Sequence, residues 1–238
     1  MNRSAHLCCG WIIGLMLLWA YSAGAGAQGA RDDGATAPAY KPPMRGAPAS
    51  RVGGGSRGVG DDTPQVSVLA PDHTGLTTKE QPTLYWFVSR PAAAKLEVTV
   101  INEQVVKPAL EQELAAPAAP GIQRLRLADF NVKLQPGIEY RWHVSLVIDP
   151  KQRSNDIIAS GTIQRVTPSP PLQARMQGLD RRETARAYAE EGIWYDAIDV
   201  ISEAIDADPK DRAARRERAL LLQQVGLTEA SRYDSSAQ

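Results

Sequence analysis

Four groups of residues have types and spacings that bear on chemistry. Gly54-Gly-Ser56-Arg-Gly58 fits G-x-S-x-G, the pattern that presents a nucleophilic serine. That chemistry requires a strained turn between a buried strand and a helix, and here the pattern sits in a glycine-rich stretch with no strand before it. The same glycines lack the Gly-Lys-Ser/Thr ending of a phosphate loop. His73 and His143 are the histidines beyond the first few residues, and neither has a second histidine at metal-ligand spacing. Both read as structural. Asp149-Pro-Lys-Gln-Arg153-Ser-Asn-Asp156 is the densest polar cluster and sets two carboxylates beside a guanidinium. An acid/base hydrolase built on Asp149, Arg153 and Asp156 is the weakest reading, because a hairpin turn closed by an ion pair explains the same residues. Finally, Glu190, Glu191, Asp196, Asp199, Glu203, Asp206 and Asp208 precede Arg212, Arg215, Arg216 and Arg218. Solvated helix faces account for that contrast, although a groove so polarised would select a partner by charge.

The elements that must position these residues follow from pattern. Among 238 residues, 27 Lys and Arg balance 27 Asp and Glu, so a surface built to neutralise nucleic-acid phosphates is not expected. Arg3 and His6 precede an apolar run from Leu7 to Tyr21, followed by small residues to Ala27. The run is too short for the ~30 Å bilayer core, which favours a cleaved signal peptide over residues 1–27, with cleavage near Ala27. The expected location is periplasmic or secreted, with no stable membrane span after cleavage. Both cysteines, Cys8 and Cys9, lie in that segment, so the mature chain has no thiol for a disulfide, a metal or a nucleophile.

Residues 28–64 are rich in Gly, Ala, Pro, Ser and Arg and show neither a two-residue nor a 3.6-residue apolar period. They read as a disordered arm. Lys41, Arg45, Arg51 and Arg57 give its centre a run of positive charge, either a solvated linker or a docking motif for an anionic partner. Residues 65–166 carry β-branched and aromatic runs at 65–70, 83–89, 96–102, 122–127, 138–148 and 157–166, with a possible short strand near Val105. That arithmetic is an antiparallel β-sandwich. Trp86 and Trp142 are expected in its core rather than as stacking platforms. The Leu134-Gln-Pro-Gly137 turn before Tyr140-Arg-Trp142 is similar to the approach to the matching strand of fibronectin type III and immunoglobulin-like modules.

After a Pro-rich linker, 167–177, the period becomes helical. Asp180 and Glu183 have capping-box spacing and open a helix to about Glu191. A second runs from Trp194 to Ala207, and a third from Asp211 to about Val225, so that 178–228 forms a helical hairpin plus capping helix before a disordered tail at 229–238. Ala185, Tyr188, Gly192, Ala197, Ala204 and Pro209 stand at the offsets of a tetratricopeptide repeat, with Arg181 and Thr184 where Trp and Leu usually stand. One repeat is too short to stand alone, so it must pack on the sandwich or on another chain.

Seven segments together, YKPPMRGAP (40–48), RVGGGSRG (51–58), PTLYWFV (82–88), GIEYRWHVSLVIDPKQRS (137–154), GTIQRV (161–166), YAEEGIWYDAI (188–198) and LLQQVGL (221–227), resemble the bacterial domain-of-unknown-function 928 family. The resemblance implies an exported bacterial protein, from a family common in cyanobacteria and found in proteobacteria. It implies a β-rich region with a short helical tail, no established activity, and a setting beside envelope sensory or secretion components. The family pattern carries cysteines after the Arg-Gly of the arm and before the Asp-Pro of the hairpin; here Asp61 or its neighbours and Ile148 stand there.

The expected fold is therefore α+β, an immunoglobulin/fibronectin-III-like antiparallel β-sandwich followed by a small tetratricopeptide-like helical tail. The expected function is a non-enzymatic envelope adaptor that binds another envelope protein, with no cofactor and no metal. Tyr188, Trp194 and Tyr195 are its candidate contacts, with Arg45, Arg51 and Arg57 of the arm. The alternative is a cell-wall or glycan module whose Trp86, Trp142 or loops stack on a saccharide.

Overall fold

A computed structural model of the chain describes residues 37–43, 50–53, 63–102 and 104–236. They form an α+β fold of two sheets and five helices. The strands are β1 (Val52–Gly53), β2 (Val66–Val68), β3 (Gly75–Thr77), β4 (Thr83–Val88), β5 (Lys95–Ile101), β6 (Leu110–Leu114), β7 (Gly121–Arg126), β8 (Glu139–Val147) and β9 (Ile157–Arg165). The helices are α1 (Pro170–Arg175), α2 (Arg181–Glu190), α3 (Trp194–Ala207), α4 (Arg212–Gln224) and α5 (Thr228–Ser236). The first sheet has the order β1-β2-β4-β7 and the second β3-β9-β8-β5-β6.

Alternation explains the second sheet. Leu96, Val98 and Val100 of β5 point inward beside Trp142, Val144 and Leu146 of β8, while the intervening residues are partly or fully exposed. β4 is buried at every position, because its far face is covered too. Trp86 from the first sheet and Trp142 from the second belong to one apolar core, 1% and 0% exposed. Gly161 pairs with Trp142 across β8 and β9, and a side chain there would meet the Ala70 Cβ at 2.7 Å. That glycine leaves the room that the Trp142 indole and Ala70 occupy, since a Cβ there would also stand 3.0 Å from Trp142 Nε1.

Pairing is antiparallel with one correction to the expectation: β3 runs parallel to β9, Gly75 opposite Ile163. One further strand differs. Val105 lies in the turn that follows β5, and the strand comes later, at Leu110–Leu114. Pro108 has no N–H to pair, and the Leu-Glu-Gln-Glu-Leu segment offers two apolar residues only, which suffices at a sheet edge and leaves little signal.

The segment expected as linker contains α1, whose N-cap Ser169 accepts from Leu172 N at 3.3 Å. Its prolines occupy the first turn, where a missing N–H is harmless. The Asp180 and Glu183 capping box forms, and α3 has the expected bounds. The tail from residue 229, expected to be disordered, continues α5 to Ser236. Its inward residues are Ala230, Ser231 and Asp234, so no apolar stripe marks it.

The described parts of the expected arm are fixed to the body. Ser160 N donates to Ser50 O at 2.8 Å, and β1 pairs with β2. Tyr40 N donates to Gln224 Oε1 at 2.8 Å, while Gln224 Nε2 donates to Pro38 O at 2.7 Å. Lys41 N donates to Ala189 O at 3.1 Å. An extended chain needs no apolar period of its own when its backbone groups find partners on a body already folded.

Candidate functional site

The helices meet the sheets through a buried polar seam. Thr77, at the end of β3, is followed by Thr78 and Lys79, and this segment lies against the first turns of α3. Asp196 accepts from Thr77 Oγ1 at 2.5 Å, from Thr78 N at 2.9 Å and from the Thr78 hydroxyl. One turn on, Asp199 accepts from Lys79 Nζ at 2.5 Å and from the Tyr85 hydroxyl at 2.8 Å. Burial holds the Asp196 carboxyl above the usual carboxylate range, against the opposing pull of its three threonine hydrogen bonds and of Lys79. Burial also pushes the Tyr85 phenol up, with Asp199 beside it. These two acids were expected on a solvated face. They are interior because α3 has an apolar stripe on one side and the Thr-Thr-Lys segment on the next.

Of the three aromatics expected to meet a partner, Trp194 and Tyr195 serve instead as bolts, and Tyr188 keeps part of its ring at the surface. Trp194 is fully buried, donates from Nε1 to Leu69 O at 2.8 Å, and takes the Tyr40 ring edge-on at a centroid distance of 4.9 Å. Tyr195 is 2% exposed and joins Trp142, with its phenol pushed up by burial. Tyr188 is half-buried, packs on the same core, and is shifted upward chiefly by burial and next by Asp196. The correction has a plain cause. A hairpin too short to stand alone buries its large side chains against the nearest apolar surface, and the sheets of the same chain supply it.

Arg51 donates to Val225 O, tying the segment before β1 to the end of α4, and burial lowers its pKa. Arg45 and Arg57 lie outside the described residues. Around Tyr40, the phenol oxygen is 2.8 Å from His73 Nε2, and His73 Nδ1 is 3.1 Å from Asp72 Oδ1. Burial, then Asp72, pushes the Tyr40 phenol up, and the row clasps the 37–43 segment to the residues before β3.

Arg153 and Asp156 do come together, at the turn between β8 and β9, while Asp149 caps the turn before them. Asp149 Oδ1 accepts from Lys151 N at 2.9 Å. Arg153 Nε donates to Asp156 Oδ2 at 2.6 Å, and its two terminal nitrogens reach Glu97 on β5 at 3.1 and 2.6 Å. Those bonds hold the Glu97 carboxyl below the ordinary range. The guanidinium is thus committed to two acids and serves as a brace for the hairpin. His143 is half-buried, and burial with Arg141 beside it lowers its pKa. Trp86 and Trp142, being interior, offer no face to a sugar. No group of three or more His, Cys, Asp and Glu that could hold a metal occurs among the described residues.

The surface left open is a sheet edge. β6 ends the second sheet, with β5 on one side and no strand on the other among the described residues. Glu111 and Glu113 are exposed along it, and the turn before it raises Val105 and Val106, 52% and 104% exposed. The remaining ends are protected: β1 has two residues, β3 lies against α3, and β7 lies against α5. Sequence reasoning missed β6 for the reason given above, and Val105-Val106 was its nearest signal.

The model of the family described as Domain of Unknown Function (DUF928) matches residues 52–234. The chain belongs to the DUF928 family. The DUF928 match opens at the first residue of β1 and closes at Asp234 on α5, so both the arm strand and the last helix are inside the family unit. No curated protein matches the chain. Similar solved structures include a multi-domain immunophilin from Arabidopsis thaliana, at 10% identity and a TM-score of 0.18, over 82% of this chain and 98% of that one. A TM-score of that size carries no argument about this DUF928 chain.

Proposed function

We propose that this chain is a non-enzymatic interaction module of the bacterial envelope, exported by a cleaved signal and binding another envelope protein through the β6 edge. The observation that carries the reading is the open edge of β6 beside the exposed Val105 and Val106. A sheet edge presents a row of unpaired N–H and C=O groups, and an extended segment of a partner can add to it as a further strand. Glu113 is paired with Lys95, which leaves Glu111 to oppose a second copy and to favour a segment that sets a Lys or Arg opposite it.

The scaffold for this edge is a fibronectin-III-like sandwich carrying a tetratricopeptide-like tail. Lettering β2, β4, β5, β6, β7, β8 and β9 as successive strands A, B, C, C′, E, F and G gives sheets A-B-E and G-F-C-C′, which supports that assignment. The parallel β3 then reads as a continuation of the first strand that has crossed to the second sheet. For the tail, Ala185, Ala189 and Ala197 are buried where α2 and α3 pack closely, and α4 with α5 makes a second pair.

The test is recovery of the tagged protein from crosslinked envelope fractions, with co-purifying proteins identified by mass spectrometry. Glu111→Pro removes an edge N–H without touching the core. The expected result is one reproducible partner that is lost in the variant while its melting temperature stays within a few degrees of wild type. A partner retained by a folded Glu111→Pro protein refutes binding at β6.

A further inference from the structure

A polar cleft of about 380 Å³ lies between β7 on one side and α3, α4 and α5 on the other. Arg124, Ser202, Asp206, Arg215, Arg218 and Tyr233 line it. The charges sort themselves into two pairs and a remainder. Arg218 donates from Nε and Nη2 to the two oxygens of Asp234, at 2.6 and 2.7 Å, and from Nη1 to Ser202 Oγ at 2.9 Å. Asp234 is fully buried, so that pair is neutral and its carboxylate saturated. Arg124 pairs with Asp206 at the rim, both partly exposed.

Arg215 is the remainder. Its Nε donates to Pro209 O at 3.2 Å, and its Nη1 stands 3.8 Å from an Asp234 oxygen already held by Arg218, beyond hydrogen-bond distance. With its side chain only 20% exposed, it brings a positive charge to the cleft wall that no carboxylate hydrogen-bonds among the described residues. A guanidinium so placed has donors available in the flat fork that fits carboxylate and phosphate oxygens.

We propose that this cleft binds the anionic group, carboxylate or phosphate, of a small ligand, with Arg215 as its principal contact. Arg124 is the second. Its ion pair with Asp206 lies near solvent, where such pairs contribute little, so an entering anion can share the guanidinium at small cost. The Tyr233 hydroxyl, which donates its one proton to Pro120 O at 3.2 Å, stands at the rim. The volume falls within the ordinary range for a small-molecule site. This site is separate from the β6 edge and does not depend on a partner there.

Calorimetric titration of the full mature chain with inorganic phosphate and, separately, with acetate tests the proposal, at constant ionic strength held by chloride. Saturable binding of either probe, weakened at least tenfold in Arg215→Gln and unchanged in Arg212→Gln on the exposed side of α4, supports it. Which probe binds more tightly identifies the anionic group. Should Arg215→Gln fail to melt cooperatively, Arg215→Lys replaces it; that variant keeps the charge, loses the fork, and is expected to bind more weakly than wild type. Absence of saturable binding by both probes, or equal affinity in wild type and a folded Arg215 variant, overturns the assignment.

Discussion

Trp142 Nε1 donates to the Tyr195 hydroxyl at 2.8 Å, and that hydroxyl donates onward to Thr162 O at 3.0 Å. One phenol thus closes the polar groups of two neighbouring strands and fixes the first turn of α3 upon them. The rings meet edge-on, with centroids 6.4 Å apart. Tyr195→Phe keeps the ring and removes the link. Because Trp142 is fully buried, its N–H is left without a partner. An orphaned buried donor costs about 1–3 kcal/mol. The expected result is a lower urea midpoint, unchanged m-value and unchanged far-ultraviolet circular dichroism; an unchanged midpoint would refute the relay.

Trp194→Ala should be more severe. The variant loses a fully buried indole, the edge-on contact with Tyr40, and the hydrogen bond to Leu69 O. Large-to-small changes of this kind cost about 3–5 kcal/mol. Equilibrium denaturation is expected to show this as lost stability. A folded Trp194→Ala protein of wild-type stability would return Trp194 to a role at the surface.

What could be read from the sequence divides along physical lines. The periodic parts were legible: α3 is amphipathic over its whole length, and β8 alternates Tyr140, Trp142, Val144 and Leu146 against residues of the other face. Elements whose inward residues are small or polar were not. α5 presents Ala230, Ser231 and Asp234 to the body, and β6 has Glu111 and Glu113 on an edge. The roles of charged residues were the least legible, because the same Asp can cap, pair or solvate. Asp196 and Asp199 look like a helix surface until the Thr77-Thr78-Lys79 segment is seen against them. The hairpin at Asp149, Arg153 and Asp156 was readable because its partners are close in sequence; the third partner, Glu97, was not.

Gly192 tests whether the segment at 37–43 is integral. Its φ is +75°, and a Cβ there would lie 2.7 Å from Lys41 O. Gly192→Ala therefore meets both a disfavoured backbone and a strap that must shift to admit the methyl group. A cost of about 1 kcal/mol is expected from the backbone alone, with faster limited proteolysis near residues 37–43 as the strap lifts. Unaltered cleavage kinetics would show that the strap does not depend on this contact.

Asp196 gives the fold a pH dependence whose sign is opposite to that of an ordinary ion-paired acid. Its folded-state pKa lies above the unfolded value, with burial the largest cause. As pH rises past the unfolded value, the unfolded chain loses this proton first and the folded chain still holds it, so stability falls across that window. Glu97, held low by Arg153, acts the other way: its contribution is present above the unfolded value and is lost as pH falls. Comparing wild type with Asp196→Asn isolates the first effect. The amide oxygen can accept from Thr78 N and the Thr78 hydroxyl as Oδ2 does, and the amide nitrogen can donate to Thr77 Oγ1 in place of the bond that Oδ1 accepts. Denaturation at a series of pH values should show the stability advantage of wild type over the variant shrinking steadily as pH is raised from about 4, near the unfolded value. A difference that stays constant, or grows with pH, would mean that Asp196 is held as a fully charged acceptor and that the seam is an ordinary charge-assisted one.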